Sequence, residues 1–478
     1  MSAVDSDLIA AVSTGAGRGG VGVVRLSGDG AQSVAQALGA NKLVPHRAHH
    51  RTLHHKGELI DAGLVLLFPD GRSFTGQETV EFQIHGSPVA LQLLLAACCE
   101  LGARVARPGE FTERAFLNGN MDLAQAEAVI DLIEAGSVGA ARGAARSLQG
   151  EFSRRVQQLV DNLEHLRVLV EACIDFPEED VELMQTHQIR LQTDQLRSAA
   201  DSLLTQTRSG QRLNEGIRVA FAGLPNVGKS SLLNRLTGED VAIVTDVPGT
   251  TRDSLTADIE IKGVPVRLVD TAGIRHTDDQ VEQLGIKRSI TQVDQADVVV
   301  YVVDGSDWTQ AQAAEQLAKR YGQTRKLVEA LAEQVPDVGT EESLGAKGSS
   351  EPTELIVVNK ADLWQNTFSL PHALEAKKII PVSALQGTGI DLFKAALGEG
   401  LQQEALEAPF TARARHVEAL TNAMGCFDAA IVALDSQQPV EFVAEELRSA
   451  GLELGLIIGT SSPDELLGKI FSEFCIGK

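Results

Sequence analysis

The apolar positions of this chain change period at three places, and each change marks a different kind of structure. Over residues 1–120, short β-type runs alternate with turn clusters: GVGVVRLSG, AGLVLLFPDGRSFTG and TVEFQIHG, the last with Val80, Phe82 and Ile84 spaced by two. A two-residue period puts those side chains on one face of a strand, so this segment predicts an α+β domain. From Leu123 to about Gln211 the spacing becomes helical, as in EFSRRVQQLVDNLEHLRVLVEACID, with few glycines after Gly150. Long amphipathic helices follow from that pattern. A second helical stretch, from Pro409 to the C-terminus, resembles the first in composition. Two helical blocks flanking residues 216–398 predict a middle segment inserted between the halves of one helical domain. Within the insert, Gly322 to Pro352 is polar and rich in Gly, Glu and Ser, and reads as a mobile surface insertion. The expected division is residues 1–120, 121–215, 216–398 and 399–478, a multidomain α/β protein.

Composition agrees with several folded cores: of 478 residues, 43% are apolar and 22% charged. Sixty-five acidic and 42 basic side chains leave a formal charge of −23. The charge is uneven. Residues 1–120 carry 10 basic and 11 acidic groups, whereas the three later segments have nets of −7, −7 and −8. An anionic partner such as RNA is repelled least by the near-neutral first segment or by a local basic patch. Aromatics are only 4%, too few for a broad base-stacking platform. Cys98, Cys99, Cys173, Cys426 and Cys475 form no C-x-x-C pair, which suits reduced thiols in a cytosolic compartment. The acidic start MSAVDSDLIAAVSTG lacks the basic residues of a signal peptide, and no apolar run approaches the roughly 18 residues of a span, so neither secretion nor membrane crossing is expected. The pairs His49-His50 and His54-His55 have no acidic partner pattern and read as exposed loop histidines, and His85 as a strand end.

The chemistry concentrates in the insert. IRVAFAGLPNVGKSSLLNRL places Gly223, Asn226, Val227, Gly228, Lys229, Ser230 and Ser231 between an apolar strand and a helix. G-x-x-x-x-G-K-S in that context is a phosphate loop. Glycine backbone approaches the phosphate oxygens, Lys229 reaches the β/γ oxygens, and Ser230 ligates Mg²⁺. VRLVDTAG then puts Asp270 at a strand end near the Mg²⁺ shell, with Thr271, Ala272 and Gly273 placed for the γ-phosphate. LIVVNKAD supplies Asn359, Lys360 and Asp362, whose carboxylate matches the N1–H and N2 amino donors of guanine. Ser383 and Ala384 follow IIPV and would back the base with main chain. This ordered set predicts GTP binding. Thr250 and Thr251, in DVAIVTDVPGTTRD, stand where a switch threonine completes the Mg²⁺ shell. Ile274 follows DTAG where Ras-type proteins carry a water-orienting glutamine, so another group must serve. Arg275, Asp278, Asp279 and Glu282 are available; from spacing alone Asp278 and Asp279 read as solvated loop charges, and Glu282 reads equally as a helix-start acid or a catalyst.

With these motifs, GRGGVGVVRLSG, FTGQETVEFQIHG, ARPGEFTERAFLNG, DFPEEDVE and the terminal FCIGK make nearly the whole chain resemble the MnmE/TrmE family of tRNA modification GTPases. The resemblance implies an N-terminal folate-binding-like domain that dimerises, a discontinuous all-α helical domain, and an inserted Ras-like P-loop GTPase domain. It implies a potassium ion on Asn226, Thr245, Val247 and Thr250 in place of an arginine finger, and Glu282 as the water-orienting acid. A tetrahydrofolate one-carbon derivative would meet Arg25, Glu81 and Lys478. Asn120 stands where many relatives carry a basic residue. Cys475, in FCIGK, reads as an inert packing thiol, with a chemical thiol role as the alternative. The implied activity is potassium-dependent GTP hydrolysis in the cytoplasm. Through an FAD-dependent partner, in a heterotetramer, it serves C5 (carboxymethyl)aminomethyl modification of wobble uridine in certain tRNAs; the flavin belongs to that partner. The competing account is a GTP-controlled switch or ribosome-assembly factor, which should carry a strongly basic RNA-binding module; every segment here is near neutral or acidic. A folate-dependent aminomethyl transferase with a regulatory G domain ranks third, because residues 1–120 reveal no independent active site.

Overall fold

Val80, Phe82 and Ile84 all turn inward in a six-stranded sheet, as their spacing requires. They are seen in a computed structural model that describes residues 6–175, 182–239, 256–261, 263–270, 296–306, 313–332, 352–363, 378–399 and 408–477. The chain divides into two compact units, Met1–Ile130 with Gly451–Lys478, and Asp131–Ala450.

In the first unit, strands β1 (Ile9–Val12), β2 (Gly19–Ser27), β3 (His49–His55), β4 (Glu58–Phe68), β5 (Thr79–Gly86) and β6 (Arg104–Val105) lie in the order β3-β4-β5-β2-β1-β6. All neighbours are antiparallel except β1 and β6. Helices α1 (Ala31–Ala37) and α2 (Pro88–Glu100) contribute Val34, Ala35, Leu91, Leu94 and Cys98 to one core with Val24, Leu26, Val65 and Phe82. Pro88 opens α2 at a position whose N–H needs no partner, with its φ already helical. The histidine-rich stretch is strand β3, not the loop its polarity suggested. As an edge strand it needs one inward anchor, the fully buried Leu53, and its other positions can stay polar. His55 Nε2 there meets Glu100 Oε2 at 2.8 Å.

Helix α3 (Glu110–Leu117) starts on a buried carboxylate. Glu110 accepts from Arg104 Nη2 at 2.6 Å, the Arg107 N–H at 2.8 Å and Arg114 Nη2 at 2.9 Å. Burial alone would push this carboxyl up, but these donors outweigh it and hold it at about 2. Helix α4 (Leu123–Glu134) packs Leu123, Ala126 and Ile130 against Ile470, Phe471 and Phe474 near the C-terminus. Ile476 then bridges to Pro108. Gly477 has φ +99°, and a Cβ there would stand 2.1 Å from the Val12 carbonyl oxygen, so glycine lets the chain lie against β1.

The second unit combines helices with another six-stranded sheet. Helices α5 (Val138–Leu148), α6 (Glu151–Asp175) and α7 (Glu182–Glu215) precede the sheet in sequence, and the helix Ala414–Asp435 follows it. Phe152, Val156, Leu159, Leu163, Leu166 and Val170 recur at three- and four-residue steps and form the buried face of α6. Arg190 and Arg197 of α7 pair with Asp435 and Asp428 at 2.8 and 2.6 Å, joining helices from opposite sides of the insert. Deeper in the same junction, Arg413 Nη2 meets Asp131 Oδ1 at 2.9 Å, and the Thr411 N–H donates to Ser147 Oγ at 2.9 Å. Among the described residues, Ala414–Asp435 alone is long and apolar enough to cross a membrane by length and composition. Its Ala419, Leu420, Ala423, Phe427 and Ala430 are buried and its aspartates are paired with α7, so here it is a bundle helix.

The sheet of this unit runs β12-β11-β10-β7-β9-β8, from β7 (Ile217–Ala222), β8 (Thr256–Ile261), β9 (Val264–Asp270), β10 (Val298–Asp304), β11 (Thr353–Asn359) and β12 (Lys378–Pro381). Only β8 is antiparallel to its neighbour. The run VVVYVV of β10 is buried throughout, as a central parallel strand covered on both faces requires. Phe221, Leu232, Leu236, Val300 and Phe393 fill one face, and Tyr301, Leu317 and Tyr321 belong to the other. Each such large side chain stabilises the fold by about 1.5–3 kcal/mol through burial. Tyr321 and Leu317 lie on a helix, Ala313–Ala332, that continues past Gly322. The first part of the expected insertion is therefore helical. Its polar composition hid a narrow anchoring stripe that includes Thr324, buried and bonded to the Arg320 carbonyl at 2.9 Å. Residues 333–351 lie outside the described residues.

Candidate functional site

Strand order reverses between β7 and β10, and open α/β sheets bind ligands at the carboxyl ends of strands flanking such a point. β7 leads there into the phosphate loop, and α8 (Lys229–Glu239) follows. Asn226 has φ 65° and Gly228 φ 94°. A Cβ on Gly228 would come 2.3 Å from Asn359 Nδ2, so a side chain there is excluded by contact as well as by conformation. Lys229 is only 8% exposed, and its Nζ donates to the Gly223 carbonyl at 2.8 Å and the Leu224 carbonyl at 3.2 Å. Phosphate oxygens brought to this loop offer the ammonium charged acceptors, which form stronger bonds than neutral carbonyls. Ser230 and Ser231 are exposed on the first turn of α8, at the helix end that favours an anion. A serine hydroxyl is also an oxygen ligand of the type Mg²⁺ takes.

Asn359 joins this loop to the base-recognition segment. It is 2% exposed; its Nδ2 donates to the Val227 carbonyl at 2.9 Å, and its Oδ1 accepts from the Ala384 N–H at 3.1 Å. One side chain thus spans two loops contributed by different strands. Asp362 Oδ1 accepts from Ser383 Oγ at 2.6 Å, and the same hydroxyl oxygen accepts from the Gln386 N–H at 3.1 Å. That chain of bonds fixes the carboxylate for a ligand with two neighbouring N–H donors, the pattern guanine has and adenine lacks. Asp270 ends β9 opposite Phe221 of β7, which places its backbone beside the phosphate loop. The Asp270 side chain, together with Thr245, Val247, Thr250, Thr251, Thr271, Ala272, Gly273 and Glu282, lies outside the described residues.

Two contributors were not read from the sequence. Asp304, the last residue of β10, pairs in register with Asn359 and bonds Lys360 Nζ through Oδ2 at 2.6 Å. Burial opposes its charge, but Lys360 and the Ser306 N–H outweigh that and hold the carboxyl below its usual range. The signal was an acid closing an otherwise apolar strand, VVVYVVD. Arg235 of α8 donates to the carbonyls of Ala384 and Leu385, pinning the loop behind the base position. Nothing in the spacing of a lone helical arginine marks that role.

In the first unit, Arg25 and Glu81 are cross-strand partners. Arg25 Nη2 and Nε reach Glu81 Oε1 at 2.9 and 3.0 Å. The guanidinium lies 5.4 Å from the Phe74 ring centroid and 5.6 Å from that of Phe111. Asn120 Nδ2 donates to the carbonyls of Ser73 and Phe74 at 3.0 and 3.1 Å, so it meets the same neighbourhood through Phe74. Both guanidinium bonds fall on Glu81 Oε1, so the pair presents a carboxylate able to accept from N–H donors of a ligand. Lys478 lies outside the described residues. Cys475 is exposed, and its carbonyl accepts from the Gly109 N–H at 3.5 Å.

A phosphate loop at the switch point of a mostly parallel sheet, clasped to an Asn-Lys-x-Asp segment, makes the second unit's sheet a P-loop GTP hydrolase. Residues 8–120 match the family description "GTP-binding protein TrmE N-terminus", and residues 123–475 match "MnmE helical domain". Curated relatives agree over the full length. The tRNA modification GTPase MnmE of Ectopseudomonas mendocina is 46% identical over 476 residues, covering 99% of both chains. That of Pseudomonas fluorescens is 44% identical over 482 residues, covering 99% of this chain and all of the relative. That of Nitrosomonas europaea is 44% identical over 480 residues, covering 99% of both. The chain belongs to the MnmE family of tRNA modification GTPases.

Proposed function

We propose that this GTPase is potassium-dependent and acts with an FAD-dependent partner to install a C5 (carboxymethyl)aminomethyl group on the wobble uridine of certain tRNAs. The observation that carries the nucleotide half is the Asn359 clasp, which holds the phosphate loop and the base loop in one frame. Family membership carries the tRNA half. In the cycle we propose, Lys229 and the loop N–H groups take the β- and γ-phosphates, while Ser230 and Thr251 hold Mg²⁺. Thr245, Thr250, Thr271, Ala272, Gly273 and the strand-end Asp270 close around the γ-phosphate. Asp362 selects guanine, and Ser383 and Ala384 back it. Glu282 orients the attacking water. Asn226, Thr245, Val247 and Thr250 hold K⁺, which supplies a fixed positive charge against the charge that develops on the phosphates. Asn226 suits this task, being exposed at the lip of the loop with its backbone already turned to φ 65°.

Arg25, Glu81, Asn120 and Lys478 would hold a tetrahydrofolate one-carbon derivative, with Cys475 near the same chain end. The working assembly is a cytoplasmic homodimer bound to the flavin-carrying partner as a heterotetramer. We divide the chain into residues 1–120, 121–215, 216–398 and 399–478 for these roles. The test is mass spectrometry of tRNA nucleosides from cells with and without the gene. Loss of a C5-aminomethylated uridine, restored by the wild-type gene but not by Lys229→Ala, is expected. An unchanged profile would refute the modification role and favour a switch in ribosome assembly.

A further inference from the structure

Lys360 is the residue between the Asn359 clasp and the base-reading Asp362, and its backbone is left-handed at φ 65°. A non-glycine residue holds that conformation when its surroundings fix it. The fixing group comes from another strand: Asp304 Oδ2 meets the Lys360 ammonium at 2.6 Å, with the two side chains 20% and 35% exposed. Asp304 is itself immobilised. Its Oδ1 accepts from the Ser306 N–H at 2.9 Å, its main-chain carbonyl accepts from Arg320, and the Gly305 N–H donates to the Asn359 carbonyl at 3.0 Å. The Lys360 side chain therefore runs between the carboxyl ends of β11 and β10, the end of the sheet at which this fold binds its ligand.

We propose that Asp304 is a positioning residue for guanine recognition, holding the Lys360 stem as an apolar wall against which the base packs. The proposal rests on the reading of residues 359–362 as the base-recognition segment. A lysine stem readily covers flat apolar surface while its charged end is satisfied elsewhere. Without the carboxylate, that stem must be ordered anew each time a nucleotide binds, at an entropic cost that weakens affinity by about tenfold. An ordinary partly exposed ion pair that only ties two strands together would instead move stability slightly and leave affinity alone.

The experiment is a double-mutant cycle in the full chain, read by fluorescence titration with a methylanthraniloyl-labelled GDP. Asp304→Asn, Lys360→Met and the double variant are compared with wild type, each checked for thermal unfolding without nucleotide. Asp304→Asn should weaken binding about tenfold, Lys360→Met at least as much, and the double variant no more than Lys360→Met. Asp304→Glu should recover part of the loss, which keeps the test decisive if the asparagine variant unfolds early. Wild-type affinity in Asp304→Asn, or single losses that multiply in the double variant, would overturn the proposal. If the wild-type chain itself failed to bind the probe, the base-recognition reading would fall instead.

Discussion

Replacing Asn359 by alanine should separate the two halves of the nucleotide site. The substitution removes two hydrogen bonds of 2.9 and 3.1 Å and leaves the Val227 carbonyl and the Ala384 N–H without these partners. Val227 and Ala384 are only 6% and 8% exposed, so water replaces the lost bonds poorly. Each buried group left unpaired costs about 1–3 kcal/mol, and with some relaxation of the loops a total of about 3 kcal/mol is reasonable. That corresponds to roughly a hundredfold change in a local opening equilibrium. Hydrogen exchange resolved to peptides reads it directly in the nucleotide-free protein. The peptide containing Ala384 should exchange about a hundredfold faster, the peptide spanning Gly223 to Lys229 should also accelerate, and GDP affinity should fall. Faster exchange at Ala384 with an unchanged phosphate-loop peptide and unchanged GDP affinity would refute the view that Asn359 couples the loops.

Asp362→Asn exchanges an acceptor for a donor opposite guanine N1–H, so GTP affinity should drop at least about a hundredfold while xanthosine triphosphate gains; an unchanged preference in competition binding would remove Asp362 from base reading. Asn226→Ala should abolish the rate advantage of potassium over sodium in steady-state hydrolysis while nucleotide still binds, and a retained advantage would place the ion elsewhere. Glu110 is held at about 2 against an ordinary 4.5, so its contribution to the first unit is complete above 4.5 and is lost as pH falls toward 2. Acid titration of urea unfolding in a fragment-resolved assay should show that loss, and Glu110→Gln should flatten it.

What could be read in the sequence was what lies close together in it. Gly223 to Ser231 and Asn359 to Asp362 are consecutive runs whose spacing is their geometry, and the structure sets Gly228, Asn359 and Ala384 against one another as those motifs imply. Asp304 escaped notice because its role comes from sheet register, which pairs it with Asn359 across fifty-odd intervening residues. Polarity misled in two places for one reason. His49–His55 is anchored by the buried Leu53, and the helix that continues past Gly322 buries Tyr321 and Thr324 among its described side chains. An element at an edge or on an outer layer can stay polar over most of its surface and still be regular.

The bundle helices that pair across the insert carry a consequence for how the chain is made. Arg190 and Asp435 are 245 residues apart in sequence, and Arg197 and Asp428 are 231 apart. At a synthesis rate of about 5–20 residues per second, Ala414–Asp435 emerges roughly ten to fifty seconds after the part of α7 it will cover. Every strand of the nucleotide-binding sheet emerges within that interval, because β7 through β12 all lie between the two helices. The guest sheet can therefore close before its host bundle is complete, and α7 waits on the ribosome with one face uncovered. Translation speed through the insert sets how long that face stays open to chaperones and to other nascent chains.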